Sequence, residues 1–507
     1  VDHLPRFLPR SKTAGELAAA VPGATLHGDS TVKVHGIQYD SRWLKPGELF
    51  AALPGADLDG HDYIPAAIAK GARALLVERP QDTAIPQVVV PDSRAALAWL
   101  AAAFHDHPSR EMAVVGITGT DGKTTTSYML NHILQAGGLA TGLIGTVGIQ
   151  VGEGVTYDLG HQTTPESNLL QGYLREMVER GVTHPIIEAT SHGLAMHRLD
   201  HVRFLFAGVT NMTREHLEYH KTIEAYWAAK CMLVERVAAE GGVVVLNADD
   251  PGAMSAESKV GGAQLILTSA QGRDVDIRAT DHSICADGTS FTLQSRGESH
   301  RVQMPLIGGF NIDNALIAIG LAHAAGLETS AIVASLATTG GVPGRMQLVD
   351  EGQPFTVVVD FAHTPDSLQK ILGFLDSMTE GRIIVVSGSA GQRDATKRPL
   401  QGEVCIRNAA VSIFTNEDPR HEDAMAILRD IAVGAKQAGG VEGEDFHMIE
   451  DRSEAIDRAF DLAQPGDLVL LAGKGHETSI VIGDEQVPWN EEAVARELLR
   501  TRFGRTS

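Results

Sequence analysis

Between an apolar run (Met112–Ile117) and a helix-like stretch lies the segment Gly116-Ile-Thr-Gly119-Thr120-Asp121-Gly122-Lys123-Thr124-Thr125-Thr126. A glycine-rich turn closed by Lys-Thr, with a strand before it and a helix after it, is what a phosphate cradle requires. Glycines let backbone N–H groups approach phosphate oxygens, and the helix N-terminus adds positive potential. Lys123 reaches the terminal phosphates, and the Thr124 hydroxyl can ligate magnesium. The turn is shorter than the full Walker A pattern, because Ile117 stands where that pattern has its first glycine. The spacing predicts a nucleoside triphosphate site in a domain with a mainly parallel sheet.

At 507 residues the chain exceeds what one core can hold, and a prior of roughly 150 residues per domain suggests three. Turn signals and short apolar strands fill 23–107, followed by an alanine-rich helix near 94–104. The polar break His105-Asp-His-Pro-Ser-Arg110 is a linker candidate. Strands expected at Ile186–Ala189, Leu205–Val209, Val243–Leu246 and Leu265–Leu267, with a helix near 222–239, extend the P-loop sheet. After Gly340-Gly341-Val342-Pro343-Gly344 a fresh series begins, with strands at Thr356–Asp360, Ile383–Ser387, Val411–Thr415 and Leu468–Ala472. The fold class is therefore α/β in three domains: a small N-terminal α/β domain (1–107), a central P-loop domain (108–342) and a C-terminal, doubly wound Rossmann-like domain (343–507). A net charge of −22 argues against nucleic acid as a partner. No apolar run approaches the roughly 18 residues of a membrane span, and Val1-Asp-His-Leu-Pro-Arg6 has no export-signal pattern. Cys231, Cys285 and Cys405 lie far apart, as in a reducing compartment; the expectation is a cytoplasmic monomer without membrane insertion.

Charged and polar groups cluster at strand ends. Glu188 closes Pro185-Ile-Ile-Glu188 and is followed by Ala189-Thr190-Ser191-His192-Gly193; carboxylate and imidazole suit magnesium, although a strand-terminal acid and a capping histidine would read alike. The run Thr210-Asn-Met-Thr213-Arg214-Glu215-His216-Leu-Glu218-Tyr219-His220 reads as a site rather than a solvated loop. Lys230, within the expected helix, reads by itself as an exposed lysine. In the third domain, Asp360–Asp366, Ser387–Pro399 (with Arg393, Lys397 and Arg398), Glu417-Asp418-Pro419-Arg420 and Gly473-Lys474-Gly475-His476-Glu477 all follow strands. Cations there can neutralise a transferring phosphoryl group, while Glu417, Asp418 and Glu477 can hold an ammonium.

In order along the chain these motifs, together with Asp40-Ser41-Arg42, Asp59-Gly60-His61, Thr163-Thr164-Pro165, Arg198, Ala228-Ala229-Lys230, Asn247-Ala-Asp249-Asp250, Phe310-Asn311-Ile-Asp-Asn314 and Pro343-Gly344-Arg345-Met346, resemble the Mur ligases over nearly the whole chain. The closest likeness is to the type that adds the third peptide residue to UDP-N-acetylmuramoyl-L-alanyl-D-glutamate. The resemblance implies ATP-dependent amide ligation with Mg2+: the D-glutamate carboxylate takes the γ-phosphate of ATP, and an amine then displaces phosphate from the acyl phosphate. It implies catalytic roles for Lys123, Glu188, His192, Lys230 and Lys397. It implies ATP contacts from Gly119, Thr120, Asp121, Gly122, Lys123, Thr124, Thr125, Asn247, Phe310, Asn311, Asn314, Arg345 and Asp360. Metal would be held by Thr124, Glu188, His192 and Lys230, the last as a carbamate. The UDP-muramoyl dipeptide would meet Ser41, Gly60, His61, Thr163, Thr164, Ser191 and Arg198, and the diamino acid Arg393, Glu417, Asp418, Pro419, Arg420, Gly473 and Glu477.

The chain departs from the family pattern at Glu215, Phe361 and Met196, and in Ser389-Ala390-Gly391-Gln392-Arg393. Diaminopimelate-selecting members carry Asp-Asn-Pro-Arg where this chain has Glu417-Asp418-Pro419-Arg420. The added charge of Asp418 should repel the distal carboxylate of meso-diaminopimelate and welcome the bare ammonium of L-lysine or L-ornithine. Arg420 pulls toward diaminopimelate, which remains the alternative. More distant rivals are a folate polyglutamylating ligase, disfavoured by 23–107, and a nucleotide-dependent binding paralogue, disfavoured by intact Lys123, Glu188, His192, Lys230 and Lys397.

Overall fold

The computed structural model describes residues 9–55, 58–152, 154, 156–157, 163–213, 215–285 and 288–503. Two compact units emerge: Val1–Ser283 with Ser290–Met304 and Gly309–Thr339, and Ile284–Thr289 with Pro305–Gly308 and Gly340–Ser507. They hold a three-domain α/β fold, because the first unit contains two separate main sheets. Among the described residues no helix is long and apolar enough to cross a membrane.

The first sheet has the spatial order Thr25–His27, Gln87–Val89, Ala74–Val77, Leu49–Ala51, Ile37–Gln38 and is parallel except for its first pair. Alternate residues of its strands enter opposite cores, with Leu49, Ala51, Leu76 and Val88 on one side and Phe50, Leu75 and Val77 on the other. A sheet covered on both faces needs near-continuous apolar strands, which is why Ala-Leu-Leu-Val at 74–77 carries no polar residue. The expected alanine-rich helix runs Ser93–Phe104, N-capped by Asp92, whose carboxylate accepts from the N–H groups of Arg94 and Ala95. Leu97, Leu100, Ala101 and Phe104 form its buried stripe.

His105–Arg110 is firmly tied rather than a loose tether. Asp106 pairs with Arg10 and Lys12 at 2.6 and 2.7 Å. Arg175, from the helix Ser167–Glu179, donates to the carbonyls of His105 and Asp106 and pairs with Glu111 at 2.7 Å. Pro108 opens a short 3-10 turn here, so the polar composition read as a linker instead supplies partners for a buried guanidinium.

In the second sheet, Thr141–Gly145, His184–Glu188, Val114–Thr118, Phe204–Val209, Val243–Asn247 and Gln264–Ser269 lie side by side and parallel. The P-loop strand is thus flanked by the strands that end at Glu188 and Val209, and Glu188 aligns with Ile117 and Val209 with Thr118. The sheet continues past both edges, through Gly148–Gln150 and Thr156–Tyr157 on one side and Ile277–Cys285, Gly288–Ser295 and Glu298–Met304 on the other. These outer strands escaped the sequence reading. They mix polar and small residues, and several are half-exposed, so they lack the apolar run of a two-sided strand.

The second unit's sheet has the order Gln347–Leu348, Thr356–Asp360, Leu468–Ala472, Ile383–Ser387, Val411–Phe414, Phe446–Met448, parallel beyond its first strand. Val358, Val385 and Leu470 pack into one core, and Val357, Val359, Ile384, Val386, Val469 and Leu471 into the other. This is the doubly wound arrangement expected, and its polar loops leave the carboxyl ends of the strands.

Replacing Arg175 by Met strips the carbonyls of His105 and Asp106 of their donor, at about 1–3 kcal/mol per buried unsatisfied group. The expected outcome is trypsin cleavage after Arg110 at least about tenfold faster than in the wild type, as local opening follows the lost energy. An unchanged digestion rate would show the segment is held by other contacts.

Candidate functional site

The P-loop turn is shaped by its two glycines. Gly119 has φ 152° and Gly122 has φ 82°, and a Cβ at Gly122 would sit 2.2 Å from Asn314 Oδ1, one at Gly119 1.9 Å from Thr210 Oγ1. The turn thus packs directly against Thr210 and Asn314 at these two positions, in backbone conformations that leave no room for a side chain. The turn is pinned from the next strand end: Asn211 O accepts from Thr120 N–H, Asn211 Oδ1 from Asp121 N–H at 2.9 Å, and Thr210 Oγ1 donates to Asp121 O at 2.6 Å. The helix Lys123–Ala136 begins at Gly122 with no side chain capping its first N–H groups, and Thr125 lies half-buried in its first turn. Lys123 Nζ rests on Gly119 O and Thr120 O at 3.0 and 2.9 Å.

Glu188 is fully buried. Its Oε2 accepts from the hydroxyls of Thr124 and Thr146, both at 2.9 Å, and its Oε1 from the Thr146 N–H at 3.1 Å. Its carbonyl takes the Thr164 hydroxyl at 2.8 Å, and Thr163 meets Thr146 at 3.1 Å. Thr146 was not among the sequence candidates; it follows Thr141–Gly145, the strand beside Glu188, and nothing in its own flanks marks it.

Lys230 is not the exposed lysine its helix position suggests. On the helix Ile223–Ala239 it is 1 % exposed, donates to Gly119 O at 2.6 Å and lies over the Tyr226 ring at 4.6 Å. Burial, then the nearby charge of Lys123, holds its amine well below the ordinary lysine range. Tyr226 Oη bonds Thr120 Oγ1 at 3.0 Å and donates to Glu215 at 3.3 Å. His192, in the short helix Ser191–Ala195, packs among His216, Tyr219 and His220. Arg214 lies outside the described residues. Among the described residues no group of three or more His, Cys, Asp or Glu side chains could hold a metal alone. Hydroxyl, carboxylate and a phosphate cradle side by side nevertheless fit magnesium, a hard ion that protein commonly holds through one or two carboxylates plus phosphate oxygens.

Farther along, Phe310 is 49 % exposed at the head of the helix Phe310–Ala324. One turn on, Asn314 accepts from the Thr126 hydroxyl and donates to Asn311. Asn247 donates to Asp313, whose carboxyl is pushed to about 6 by burial and by Asp249. A flat apolar ring and amides beside the P-loop helix suit a nucleoside.

Beyond the strand end at Glu188, Ser191 Oγ and Arg198 Nε are buried without partners. Arg198 also bonds Thr164 O and pairs with Glu166 at 3.0 Å, and Glu166 in turn meets Arg94 of the first sheet's helix. In the N-terminal domain, Lys70 Nζ donates to Ser41 O. His61 is buried with both ring nitrogens engaged: Nε2 accepts from Glu78 N–H, so Nδ1–H donates to Asp59 at 2.6 Å. Gly60 packs its backbone against Leu53. His61 thus secures the turn, and a ligand there would meet main chain rather than the imidazole.

The second unit carries the other predicted residues. Asp360 Oδ2 accepts from Met346 N–H and Oδ1 from Ala362 N–H, and Arg345 lies 4.8 Å from the Phe361 ring centroid. Lys397 Nζ donates to His363 O at 3.1 Å, whereas Arg393 is exposed. Burial pushes Glu417 up to about 7, against the pull of Lys397, Lys474 and Arg452, and its Oε2 has no partner. Asp418 is not a free anion: its Oδ1 accepts from Lys474 at 2.9 Å and from Val481 N–H at 2.9 Å, and Lys474 also pairs with Glu477. Gly391 N–H bonds Asp418 O, tying the Ser389–Arg393 loop to Pro419 and its neighbours. Gly473, at φ 109°, packs against Glu417. The Arg420 guanidinium has a buried Nε without a partner.

Comparison with known proteins agrees with this geometry. Residues 33–105 match the profile "Mur ligase family, catalytic domain", 117–322 "Mur ligase middle domain" and 344–475 "Mur ligase, glutamate ligase domain". A UDP-N-acetylmuramyl-tripeptide synthetase of Roseiflexus sp. (strain RS-1) is 44 % identical over 481 residues, covering 92 % of this chain and 94 % of its own. A UDP-N-acetylmuramoyl-L-alanyl-D-glutamate--2,6-diaminopimelate ligase of Geobacillus thermodenitrificans (strain NG80-2) is 39 % identical over 491 residues, 96 % of this chain and 99 % of its own. A solved structure of a ligase of that same name superposes with TM-score 0.67 at 29 % identity, covering 97 % of this chain and 99 % of the other. With its three α/β domains and this coverage, the chain belongs to the Mur ligase family of ATP-dependent ligases.

Proposed function

We propose that this chain adds a diamino acid, L-lysine or L-ornithine, to UDP-N-acetylmuramoyl-L-alanyl-D-glutamate through an acyl phosphate. The carrying observation is the convergence of the P-loop, Glu188 and buried Lys230 at adjoining elements of one sheet, and the names borne by its relatives support the tripeptide step. A carboxylate is a poor acylating agent at neutral pH, and phosphorylation gives it a leaving group. The D-glutamate carboxylate attacks the γ-phosphate of ATP and releases ADP; the amine attacks the acyl carbon, and the tetrahedral adduct collapses to amide and phosphate. Lys123 exchanges two loop carbonyls for phosphate oxygens, a stronger charge-assisted bond.

Magnesium, held by Thr124, Glu188, His192 and carbamylated Lys230, would polarise the phosphoryl oxygens. Carbamylation needs an uncharged amine, and burial shifts Lys230 toward that form; in the reaction its nitrogen bonds the carbon of CO2 and loses a proton. Arg198 and Ser191, each with a buried polar atom lacking a partner, suit the anionic and amide groups of the muramoyl dipeptide. Lys397, at the head of its helix, serves the transferring phosphoryl in this reading. The N-terminal sheet of residues 25–89 favours a uridine-bearing substrate over folate.

Preference for a bare ammonium rests on the cluster rather than on Asp418 alone. Asp418 and Glu477 share one ammonium, that of Lys474, with Glu417 alongside and its Oε2 unpartnered, so an incoming ammonium finds a carboxylate oxygen to bond even though Lys397 and Arg452 also act on Glu417. Arg420 favours the second reading, meso-diaminopimelate, because its buried Nε–H lacks a partner and a carboxylate could accept from it.

With ATP, magnesium and UDP-muramoyl dipeptide, phosphate release should depend on added amino acid, with kcat/KM for lysine or ornithine about tenfold above meso-diaminopimelate, a difference of roughly 1.4 kcal/mol. The reverse preference would overturn the charge argument, and no amino-acid-dependent release would overturn the ligase reading. Lys230→Ala is expected to lose about 100-fold or more in kcat, as for other electrostatic stabilisers; full activity without bicarbonate would remove the carbamate. Gly122→Ala should abolish ATP binding measured by calorimetry, because its Cβ meets Asn314 Oδ1 at 2.2 Å in a left-handed turn. Because Glu417 titrates at about 7, it is anionic only above that pH. KM for the diamino acid should therefore rise as pH falls through 7, and Glu417→Gln should flatten the profile.

A further inference from the structure

Arg452 and Glu491 form an ion pair with both side chains fully buried. Arg452 opens the helix Arg452–Leu462, and Glu491 opens the helix Glu491–Phe503. The Arg452 Nε–H is shared between both carboxylate oxygens, at 3.1 and 2.9 Å, and one Nη2 proton goes to Oε1 at 2.6 Å. Trp489 Nε1–H donates to the other oxygen, Oε2, at 2.6 Å. The remaining Arg452 donors leave the pair: Nη1 donates to Asn416 O at 3.0 Å and Nη2 to Ala472 O at 2.8 Å.

Those two carbonyls occupy particular places. Asn416 immediately precedes Glu417, and Ala472 immediately precedes Gly473. They end strands that are not neighbours, since Ile383–Ser387 lies between Leu468–Ala472 and Val411–Phe414. No sheet hydrogen bond therefore joins the two loop origins, and a single planar guanidinium does. Fixing both carbonyls sets the peptide planes from which Glu417 and Gly473 depart, and with them the spacing of Glu417, Asp418 and Glu477. A buried ion pair adds little net stability over apolar side chains of the same volume, so its use here calls for a geometric reason. Lysine would not replace it: one ammonium on a flexible stem lacks the rigid fork that reaches carboxylate and two carbonyls at once.

We propose that Arg452, oriented by Glu491 and Trp489, is a positioning residue that holds the two diamino-acid loops in register and so governs affinity for the incoming amino acid. This rests on the assignment of those loops to the diamino acid. Arg452 touches no substrate; it acts through the main chain before Glu417 and Gly473.

The test measures KM for each of the three substrates, with kcat, in the wild type, in Arg452→Lys and in the double variant Arg452→Met/Glu491→Gln, which leaves no unpaired buried charge. Arg452→Lys retains the charge pair with Glu491 and is expected to fold. Its KM for the diamino acid should rise about tenfold or more, the scale of a sub-ångström displacement of a binding group. Its KM for ATP and for the UDP-muramoyl dipeptide should stay within about twofold. The double variant should show the same selective rise. Equal changes in all three constants, or a diamino-acid KM unchanged in Arg452→Lys, would overturn the proposal whether or not the double variant folds. A wild type with no amino-acid-dependent phosphate release would instead overturn the loop assignment beneath it.

Discussion

The nucleotide end of the first unit is organised around one buried carboxylate. Removing Glu188 from water costs several kcal/mol unless its oxygens are satisfied. It is satisfied by donors from two other elements, the Thr124 hydroxyl of the P-loop helix and the Thr146 hydroxyl and N–H after the adjacent strand. Hydrogen bonds to a charged group are worth about 1.5–3 kcal/mol each, so this network offsets the desolvation and fixes Thr124 relative to Glu188. The same strand end binds Thr164 through its carbonyl, and the Thr164 oxygen in turn accepts from the Thr190 hydroxyl. The glycine-rich turn, the Glu188 carboxylate and the threonines Thr124, Thr146, Thr164 and Thr190 are thereby held on one rigid frame.

Lys230 illustrates the opposite electrostatic choice. Its amine has a carbonyl partner, Gly119 O, and among the described residues no carboxylate forms an ion pair with it, while Lys123 stands close by. A second cation beside Lys123 would be costly in so buried a place, and the uncharged amine is the form that the surroundings favour. An amine that converts to an anionic carbamate would turn a repulsive neighbour of Lys123 into an attractive one. The electrostatics of the P-loop and of Lys230 are therefore a single problem, solved only when both residues are considered together.

Much of this could be read from the chain. The strands Thr356–Asp360, Ile383–Ser387 and Leu468–Ala472 fall where their apolar runs put them, because strands buried on both faces leave no polar residue to confuse the boundary. The P-loop was legible from its glycines and its Lys-Thr. Thr146, Glu166 and Arg452 were not: each works through a partner distant in sequence, and a lone threonine, glutamate or arginine carries no local pattern. Lys230 is singled out only by the family resemblance and not by its own surroundings in sequence, since the stripe on Ile223–Ala239 is broad and gives no sign that a lysine turns inward. His61 shows the converse, a motif residue whose ring nitrogens are spent on the fold itself.

The two units meet the same constraint in different ways. A parallel sheet delivers polar loops to one edge, and adjacent strand ends can be joined by side chains of ordinary reach, as Glu188, Thr124 and Thr146 are in the first unit. In the second unit the loops that begin at Asn416 and Gly473 follow strands separated by another strand, so the link must be longer and must reach two places at once. A fully buried arginine, neutralised by Glu491, meets that requirement. Across the same gap the Asp418 carboxylate, from one loop, pairs with buried Lys474 of the other, so the guanidinium fixes the loop origins and this second pair ties the loops further out.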